Sequence, residues 1–253
     1  MRDDEPLVAE ARDVRDEALE WADRRIAELA RGRVLDAGCG EGRFLRDGWY
    51  GVDVDRARLR FARLRSALVA CADVHALPFA DGAFDAALAS RMLNAAGRID
   101  EALLELRRVL RRGGTLLVLT LAGASDSQLQ QVDDAVRQRQ GRRRDDRLDE
   151  ANGADRLSRF FEPVEAERFA RRFRFDDHAS ALDHYAGQYL HRGDPDPAEM
   201  LERFERAREI IARLAPPILD EQRATLFVAR KGLAGESIGF ARASDVLSGD
   251  AAL

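Results

Sequence analysis

Hydrophobic and polar residues along the chain follow two spacings, one typical of helices and one typical of buried strands. From about residue 6 to residue 30, apolar residues recur at helical intervals between charged ones, which predicts an amphipathic cover helix. Short continuous apolar runs then predict strands that are buried on both faces, as in a parallel sheet. In chain order these predicted strands are Arg33–Asp36, Trp49–Asp53, Ala67–Ala72, Phe84–Ser90 and Thr115–Thr120.

Helical patterns fill the intervals between the predicted strands. A short helix is predicted near Glu41–Arg46, and a longer one runs from Asp100 to Arg112 and stops at Gly113-Gly114. Asp55 is predicted to cap the helix that follows the second strand. Strands that alternate with helices predict an α/β fold built on a parallel sheet.

The second half of the chain carries weaker patterns. Ser125–Gln140 predicts a helix, and Asp196-Pro197 predicts the start of another, with an aspartate as N-cap and a proline in the first turn. Thr225–Arg230 predicts a final strand. The helix that begins after Asp196 is expected to bury Leu201, Phe204, Ile211 and Leu214.

A glycine-rich loop follows the first predicted strand. It reads Asp-x-Gly-x-Gly-x-Gly from Asp36 to Gly42. Glycine reaches backbone angles that a β-carbon forbids and lets a ligand lie on the main chain, and a helix beginning after the loop would aim free N–H groups at that ligand. The dinucleotide-binding fingerprint needs glycine at position 43, where this chain has Arg43. The loop by itself leaves two families of nucleotide-type domain open.

Acidic residues stand at the ends of the next two strands. Asp53 ends the second strand about twenty residues beyond the loop, where nucleotide-binding folds place an acid on the ribose hydroxyls. Asp73 follows the third strand, in the run Asp73-Val74-His75. Because parallel strands meet at one edge of a sheet with their carboxyl ends, these acids and the loop are expected to face one ligand.

Four motifs in order over residues 33–120 resemble the class I S-adenosylmethionine-dependent methyltransferases, and the run from Asp73 to Asp85 resembles their type 11 subgroup, which includes ubiquinone- and menaquinone-pathway enzymes. The resemblance implies an α/β, Rossmann-like seven-stranded sheet of order 3-2-1-4-5-7-6. In it the last strand is antiparallel, helices cover both faces, and a small helical cap is added.

The same resemblance implies S-adenosylmethionine (SAM) as cofactor. The loop would pass under its methionine end, Asp53 would bind the ribose, Val54 the adenine face, Asp73 the adenine amino group and the Val74 N–H a ring nitrogen. The full set of implied cofactor-binding residues is Asp36, Gly38, Cys39, Gly40, Gly42, Asp53, Val54, Asp73, Val74 and Ser90.

The expected domain organisation has five parts. They are an N-terminal helical cover (1–30), the SAM-binding core (31–121), a substrate and cap region with the sixth strand (122–215), the seventh strand (216–231) and an extension of unread role (232–253).

The composition of the chain narrows the classes of partner that it is expected to bind. The 253 residues carry a net charge of −5, which gives no overall attraction to nucleic acid or to an anionic membrane. No apolar run is long enough for a signal peptide or a membrane span, and two cysteines indicate reduced thiols, so a soluble cytoplasmic protein is expected.

A polar constellation in the second half holds three of the four histidines: Asp176-Asp177-His178, Asp183-His184-Tyr185, Tyr189 and His191. The spacings match no standard metal site, so no metal is predicted. Either His178 or His184 is a general base on a substrate-facing wall, or the segment is a half-exposed helix of the cap, which is the preferred interpretation. His75 lies on the adenine side, which argues against a role as base. No catalytic residue is assigned.

The predicted reaction is in-line transfer of the methyl group to an O, N or C atom of a small-molecule acceptor. After the fourth strand the chain reads Ala89-Ser90-Arg91-Met92-Leu93-Asn94, without the paired prolines of enzymes that methylate exocyclic base amines, and neither Cys39 nor Cys71 is placed as a nucleophile. A SAM-binding protein that transfers no methyl group, or an RNA or protein methyltransferase, remains the alternative. The acceptor, pathway and oligomeric state stay open.

Overall fold

The computed structural model describes residues 17–123, 127–137, 147–190 and 195–233. The helices are α1 Glu17–Leu29, α2 Arg56–Ala62, α3 Leu93–Ala96, α4 Ile99–Val109, α5 Gln128–Val136, α6 Gly153–Leu157, α7 His178–Gln188 and α8 Pro197–Ile211. The strands are β1 Val34–Ala37, β2 Tyr50–Asp53, β3 Val69–Cys71, β4 Phe84–Ser90, β5 Leu110–Gly123, β6 Val164–Phe175 and β7 Ile218–Arg230.

The strands form a seven-stranded sheet of order β3-β2-β1-β4-β5-β7-β6, as the family resemblance implied. β1 pairs in parallel with β2 and β4, and β2 pairs in parallel with β3. β7 runs antiparallel to β5, because Gly113 N donates to Lys231 O (2.8 Å) while Lys231 N donates to Gly114 O (2.9 Å). The predicted fold class is therefore confirmed.

The chain divides into two compact units. The first, called the core unit below, comprises Ala30–Val118, Ala151–Ala166 and Phe227–Leu253. The second, called the cap unit, comprises Met1–Leu29, Leu119–Glu150 and Glu167–Leu226.

The core unit is held by continuous apolar strands and by the inner face of α4. Ala86–Ala89 of β4 are almost fully buried, which is what a strand covered on both faces requires. On α4, the residues at helical spacing that point into the core are Ile99, Ala102, Leu103, Leu106 and Val109. Their spacing of three and four residues places them on one face of the helix.

The cap unit has its own apolar cluster, formed by α5, α7, α8 and the adjoining strands. Its buried members are Leu129, Val132, Val136, Phe175, Ala181, Tyr185, Tyr189, Ala207, Ile211 and Ile218. α1 packs on β6 in the same unit, where Trp21 stacks on Phe169 and Arg25 makes a two-pronged ion pair with Glu167 (2.6 and 2.7 Å).

The helix predicted near Glu41–Arg46 is absent, and the connection from β1 to β2 consists of turns. Gly40, Gly42 and Gly48 all take positive φ, at 54°, 82° and 78°. A run of right-handed helical angles cannot include such residues, so a segment this short has no room for a helix between them.

The predicted boundaries of α4 and β5 are also wrong. α4 ends at Val109 instead of Arg112, and β5 begins at Leu110. Gly113 and Gly114 do not stop the helix, because they lie within β5 and hydrogen-bond to Lys231, the residue that directly follows β7.

Two further predictions in the second half need correction. β7 starts at Ile218, seven residues before the predicted Thr225. Its first residues include the polar but buried Asp220, Glu221 and Gln222, so no apolar run marks the start of the strand. Leu201 of α8 is 63 % exposed instead of buried. The predicted cap at Asp196 is confirmed, because its Oδ1 accepts from Glu199 N at 2.8 Å.

Some predicted elements extend past the described ranges. Of the cover helix predicted from about residue 6, the described part is α1, and of the helix predicted over Ser125–Gln140 it is α5. The rest of both lies outside the described residues, as do His191 and the extension after Leu233. Within the described ranges, every helix is too short or too polar to cross a bilayer.

Candidate cofactor site

The candidate cofactor residues lie in the core unit, at the edge where the parallel strands end. Ala37 of β1 is in register with Val52 of β2 and with Ala89 of β4, and Asp53 is in register with Cys71 of β3. The glycine loop, Asp53 and Ser90 therefore leave the sheet on the same side. This is the edge at which open α/β sheets bind ligands.

The first amides of the loop bind β2. Gly38 N and Cys39 N both donate to Val52 O, at 2.7 and 2.9 Å, and Gly40 N donates to Asp53 Oδ2 at 2.8 Å. The expectation that a helix after this loop would offer free N–H groups is wrong, because no helix follows and these amides are engaged. The loop instead has a fixed position relative to the end of β2.

Asp53 organises the turn that follows it. Its second oxygen, Oδ1, accepts from Asp55 N at 2.8 Å. Each carboxylate oxygen can accept more than one hydrogen bond, so both keep capacity for a ligand hydroxyl. Asp55 itself caps α2 by accepting from Ala57 N at 2.8 Å, as predicted.

Val54 lies between these two acids and is 67 % exposed. An exposed apolar side chain beside a hydrogen-bonding carboxylate offers a contact surface for a flat ring, such as a nucleobase, that is joined to a hydroxyl-bearing group. Val54 O also accepts a weak hydrogen bond from Cys71 Sγ (3.6 Å), which ties the ends of β2 and β3 together.

Gly38 and Gly42 are required by packing as well as by backbone angle. Gly38 has φ 70°, and a Cβ there would lie 2.5 Å from Met92 Cβ. A Cβ at Gly42 would lie 3.1 Å from Ala62 Cα, so that glycine brings the loop close to α2. Met92 follows β4, and nothing in the sequence pattern marked it as a partner of the loop.

Asp36 is a buried carboxyl whose Oδ1 has no hydrogen-bond partner. Burial and, to a lesser extent, the charge of Asp53 raise its pKa to about 8, against the opposing effect of Arg46. A buried acceptor of this kind is stabilised by a ligand that brings an N–H donor or a positive charge. The ammonium group of an amino-acid cofactor would satisfy it, so the residues present fit SAM.

Cys39 contributes its backbone to the loop and an inert thiol to the core. Burial, together with the charges of Asp36 and Asp53, raises the pKa of the thiol to about 12. Its Sγ packs where a Cβ on Gly51 would lie, at 3.0 Å. The side chain is thus a small apolar filler and not a nucleophile.

Asp73, Val74 and His75 form a turn after β3. Asp73 Oδ1 accepts from His75 N (2.9 Å) and contacts His75 Nδ1 (2.6 Å), and these bonds hold the pKa of Asp73 below its ordinary value. His75 Nε2 lies 3.2 Å from Gly97 O. Asp73 stays exposed while Val74 is buried, so His75 supports the acid and is itself engaged on both nitrogens.

The polar constellation of the second half lies in the cap unit. His178 Nε2 lies 2.9 Å from Leu214 O, a contact that fixes the start of α7, whereas His184 is buried against Asp220 of β7. In the described ranges no three His, Cys, Asp or Glu side chains come together as metal ligands. Sequence reasoning missed Asp220 and Gln222, because both precede the strand as it was predicted.

Comparison with protein families gives a match to the methyltransferase domain over residues 35–118. Among curated proteins, the malonyl-[acyl-carrier protein] O-methyltransferase of Pseudescherichia vulneris is 38 % identical over 128 residues, which are 46 % of this chain and 50 % of that protein. The chain thus aligns with about half the length of this curated relative.

Solved structures share the fold over most of the chain. The MccD protein superposes with a TM-score of 0.57 at 17 % identity and covers 84 % of this chain and 96 % of its own. The [4+2]-cyclase SpnF superposes with a TM-score of 0.52 at 20 % identity and covers 89 % of this chain and 86 % of its own. At these identities the likeness concerns the fold alone.

Proposed function

We propose, from the match of residues 35–118 to the methyltransferase domain family, that the protein is a class I, type 11 methyltransferase and transfers a methyl group from S-adenosylmethionine to a small-molecule acceptor. Cofactor binding is assigned to residues of the core unit. The acceptor atom is oxygen, nitrogen or carbon, and the malonyl-[acyl-carrier protein] O-methyltransferases among the relatives favour oxygen.

The observation that carries this proposal is the arrangement around Asp53. Its carboxylate holds Gly40 of the loop and Asp55 of the next turn, and the exposed Val54 stands between them. An acid for the ribose hydroxyls, an apolar surface for adenine and a glycine loop for the amino-acid end are the three features that a bound adenosyl compound needs. Asp73, Val74 and Ser90 complete the proposed set.

When bound, the cofactor supplies an activated methyl group on a positively charged sulfur with a neutral leaving group. The protein's part is to hold that group in line with the acceptor and to keep water away. Asp36 would accept from the cofactor's ammonium group, which supplies the donor that its buried Oδ1 lacks.

Asp53→Asn tests the placement of the ribose. The variant keeps the shape of the side chain but removes its charge and one acceptor, so we expect S-adenosylhomocysteine to bind about 10- to 100-fold more weakly in isothermal titration. Asp55→Asn is the matched control, because asparagine caps a helix as well as aspartate does and affinity should stay unchanged. Equal affinities of both variants and the parent protein would show that the ribose lies elsewhere.

A second candidate function is SAM binding without methyl transfer. The fold is shared with the [4+2]-cyclase SpnF, whose name denotes a reaction other than methyl transfer, so the fold by itself does not decide between the two. Incubation of the protein and a metabolite extract with methyl-labelled SAM separates the two. Label in a product, lost in Asp53→Asn, supports the methyltransferase. Tight cofactor binding with no labelled product supports the alternative.

A further inference from the structure

The outward face of α2 in the core unit is apolar, although a surface helix normally turns its polar residues outward. Leu59 and Ala62 form the buried face of this helix. Away from them, Ala57, Phe61 and Leu64 are all exposed and follow one another at intervals of four and three residues, which places them along one line of a helix. Phe61 is 57 % exposed and Leu64 is 84 % exposed, so packing of the core does not account for either side chain. This line of three residues is called the outer stripe below.

Arginines border the outer stripe. The sequence from Arg56 to Ala72 holds five arginines and no aspartate or glutamate. At 100° per residue, Arg56, Arg60 and Arg63 lie on one side of the stripe, and Arg65 lies on the other. All four side chains are exposed, and none of them makes an ion pair within the described ranges. The stripe is therefore an apolar line with uncompensated positive charge along both sides.

A second arginine-rich segment of the chain shows what is unusual about α2. Strand β6 carries four arginines, and each has an acidic partner within 4 Å. The pairs are Arg168 with Glu150 (2.9 Å), Arg171 with Glu17 (3.3 Å), Arg172 with Glu221 (3.3 Å) and Arg174 with Asp176 (2.9 Å). On β6 the positive charge is thus neutralised within the protein, whereas on α2 it stays available to a partner.

The chemistry of this surface indicates the partner that fits it. Aromatic side chains and arginine are the residues in which protein–protein interfaces are enriched. An apolar line at intervals of four and three residues packs on a second helix with the same spacing, and arginine binds a carboxylate with two parallel hydrogen bonds. The stripe spans seven residues, about 10 Å or two helical turns, which matches one face of a short helix.

Other occupants fit this surface less well. A second copy of the chain, related by a two-fold axis, would bring arginines against arginines. The net charge of −5 opposes the approach of the whole molecule to an anionic membrane. Single-stranded nucleic acid is bound by aromatic side chains on which bases stack, whereas the most exposed residue of the stripe is the aliphatic Leu64.

We propose that the outer stripe and its arginines are a docking surface for an acidic amphipathic helix of another protein. The apolar side chains of that helix pack on Phe61 and Leu64. Its aspartates and glutamates pair with Arg56, Arg60 and Arg63. The surface lies wholly in the core unit and needs no cofactor, so it is independent of the proposed methyltransferase function.

Fluorescence anisotropy with three labelled helical peptides and the full chain tests the docking surface. The first peptide has a heptad-spaced leucine stripe flanked by glutamates. The second has lysines in place of the glutamates, and the third has serines in place of the leucines. We expect the first peptide to bind with a Kd on the order of 10 µM and the other two about tenfold or more weakly. Binding of the first peptide should weaken as salt is added.

Variants place the peptide on the stripe. Leu64→Ser and Arg60→Glu should each lower the affinity for the acidic peptide about tenfold, because they remove an apolar contact and a cation respectively. Leu201→Ser on α8 and Arg112→Glu on β5 are the matched controls, since both residues are exposed and neither belongs to this surface. Arg60→Glu should also bind the lysine peptide more tightly than the parent protein does, a gain that a folding defect cannot produce.

The opposite results exclude this partner. Equal binding of all three peptides, equal losses in the control variants, or no binding of the acidic peptide up to about 1 mM overturns the acidic helix as occupant. A dimer in sedimentation equilibrium that Leu64→Ser abolishes assigns the surface to a second copy of the chain instead. Co-sedimentation with phosphatidylglycerol vesicles that Leu64→Ser abolishes, without peptide binding, assigns it to a lipid surface. Binding of S-adenosylhomocysteine, measured separately, bears on the proposed function alone.

Discussion

Position 38 requires glycine for two separate reasons, one of backbone conformation and one of packing. Its φ of 70° is a left-handed backbone conformation that favours glycine, and the glycine-rich sequence pattern predicts it. The 2.5 Å between a hypothetical Cβ and Met92 Cβ is a packing demand that comes from a residue more than fifty positions away. Gly48 has a similar φ of 78° with no atom within 4 Å of its missing Cβ, so the two glycines differ only in packing.

Gly38→Ala and Gly48→Ala therefore separate strain from overlap. We expect Gly48→Ala to lower the free energy of unfolding by about 1 kcal/mol, from left-handed backbone strain alone. Gly38→Ala should lose about 1 to 3 kcal/mol more, because Met92 must move. Urea denaturation measures both. Met92→Ala in the Gly38→Ala background should restore part of the excess, and equal losses in the two single variants would exclude the Met92 contact.

At the level of elements, Lys231 joins the end of α4 to the end of β7. Its Nζ donates to Arg107 O at 2.7 Å and to Leu110 O at 2.6 Å, carbonyls that a helix end leaves without intrahelical partners. Burial, followed by the charge of Arg107, lowers the pKa of this lysine. It is the single lysine of the sequence, and its role is structural.

Lys231→Met should lower the free energy of unfolding by about 1 to 2 kcal/mol, because two charge-assisted hydrogen bonds are lost and the helix end is exposed. Arg112→Met is the control, since it removes the same charge from an exposed position and should change stability by less than about 0.5 kcal/mol. Thermal and urea denaturation report both values. A similar loss in the two variants would mean that charge alone matters.

For the whole molecule, the net charge of −5 bears on the choice between acceptor classes. Binding to a phosphate backbone depends on cations that release counterions, and this chain has 41 basic against 46 acidic residues. Many of its described arginines are also paired with acids, such as Arg108 with Glu105 and Asp81. A nucleic-acid substrate is the less favoured alternative for that reason.

Fluorescence anisotropy with a labelled single-stranded RNA tests this directly. We expect no measurable affinity at ionic strength on the order of 0.15 M, and no transfer of labelled methyl groups to total RNA. Tight binding that weakens steeply with added salt would reopen the RNA methyltransferase alternative.

The sequence alone was sufficient for the strands of the core unit, whereas its assignment of cofactor-binding residues stays a prediction. Strands such as Phe84–Ser90 and caps such as Asp55 follow from local patterns, because apolar runs, glycines and capping acids act on their near neighbours. Tertiary structure was needed where the decisive partner is distant in sequence. Gly113 and Gly114 join a strand through Lys231, and the polar start of β7 becomes buried only because Ser127, His184 and Tyr189 converge on Asp220. Buried polar groups are nearly always hydrogen-bonded, and a one-dimensional pattern does not show which distant residues supply the partners.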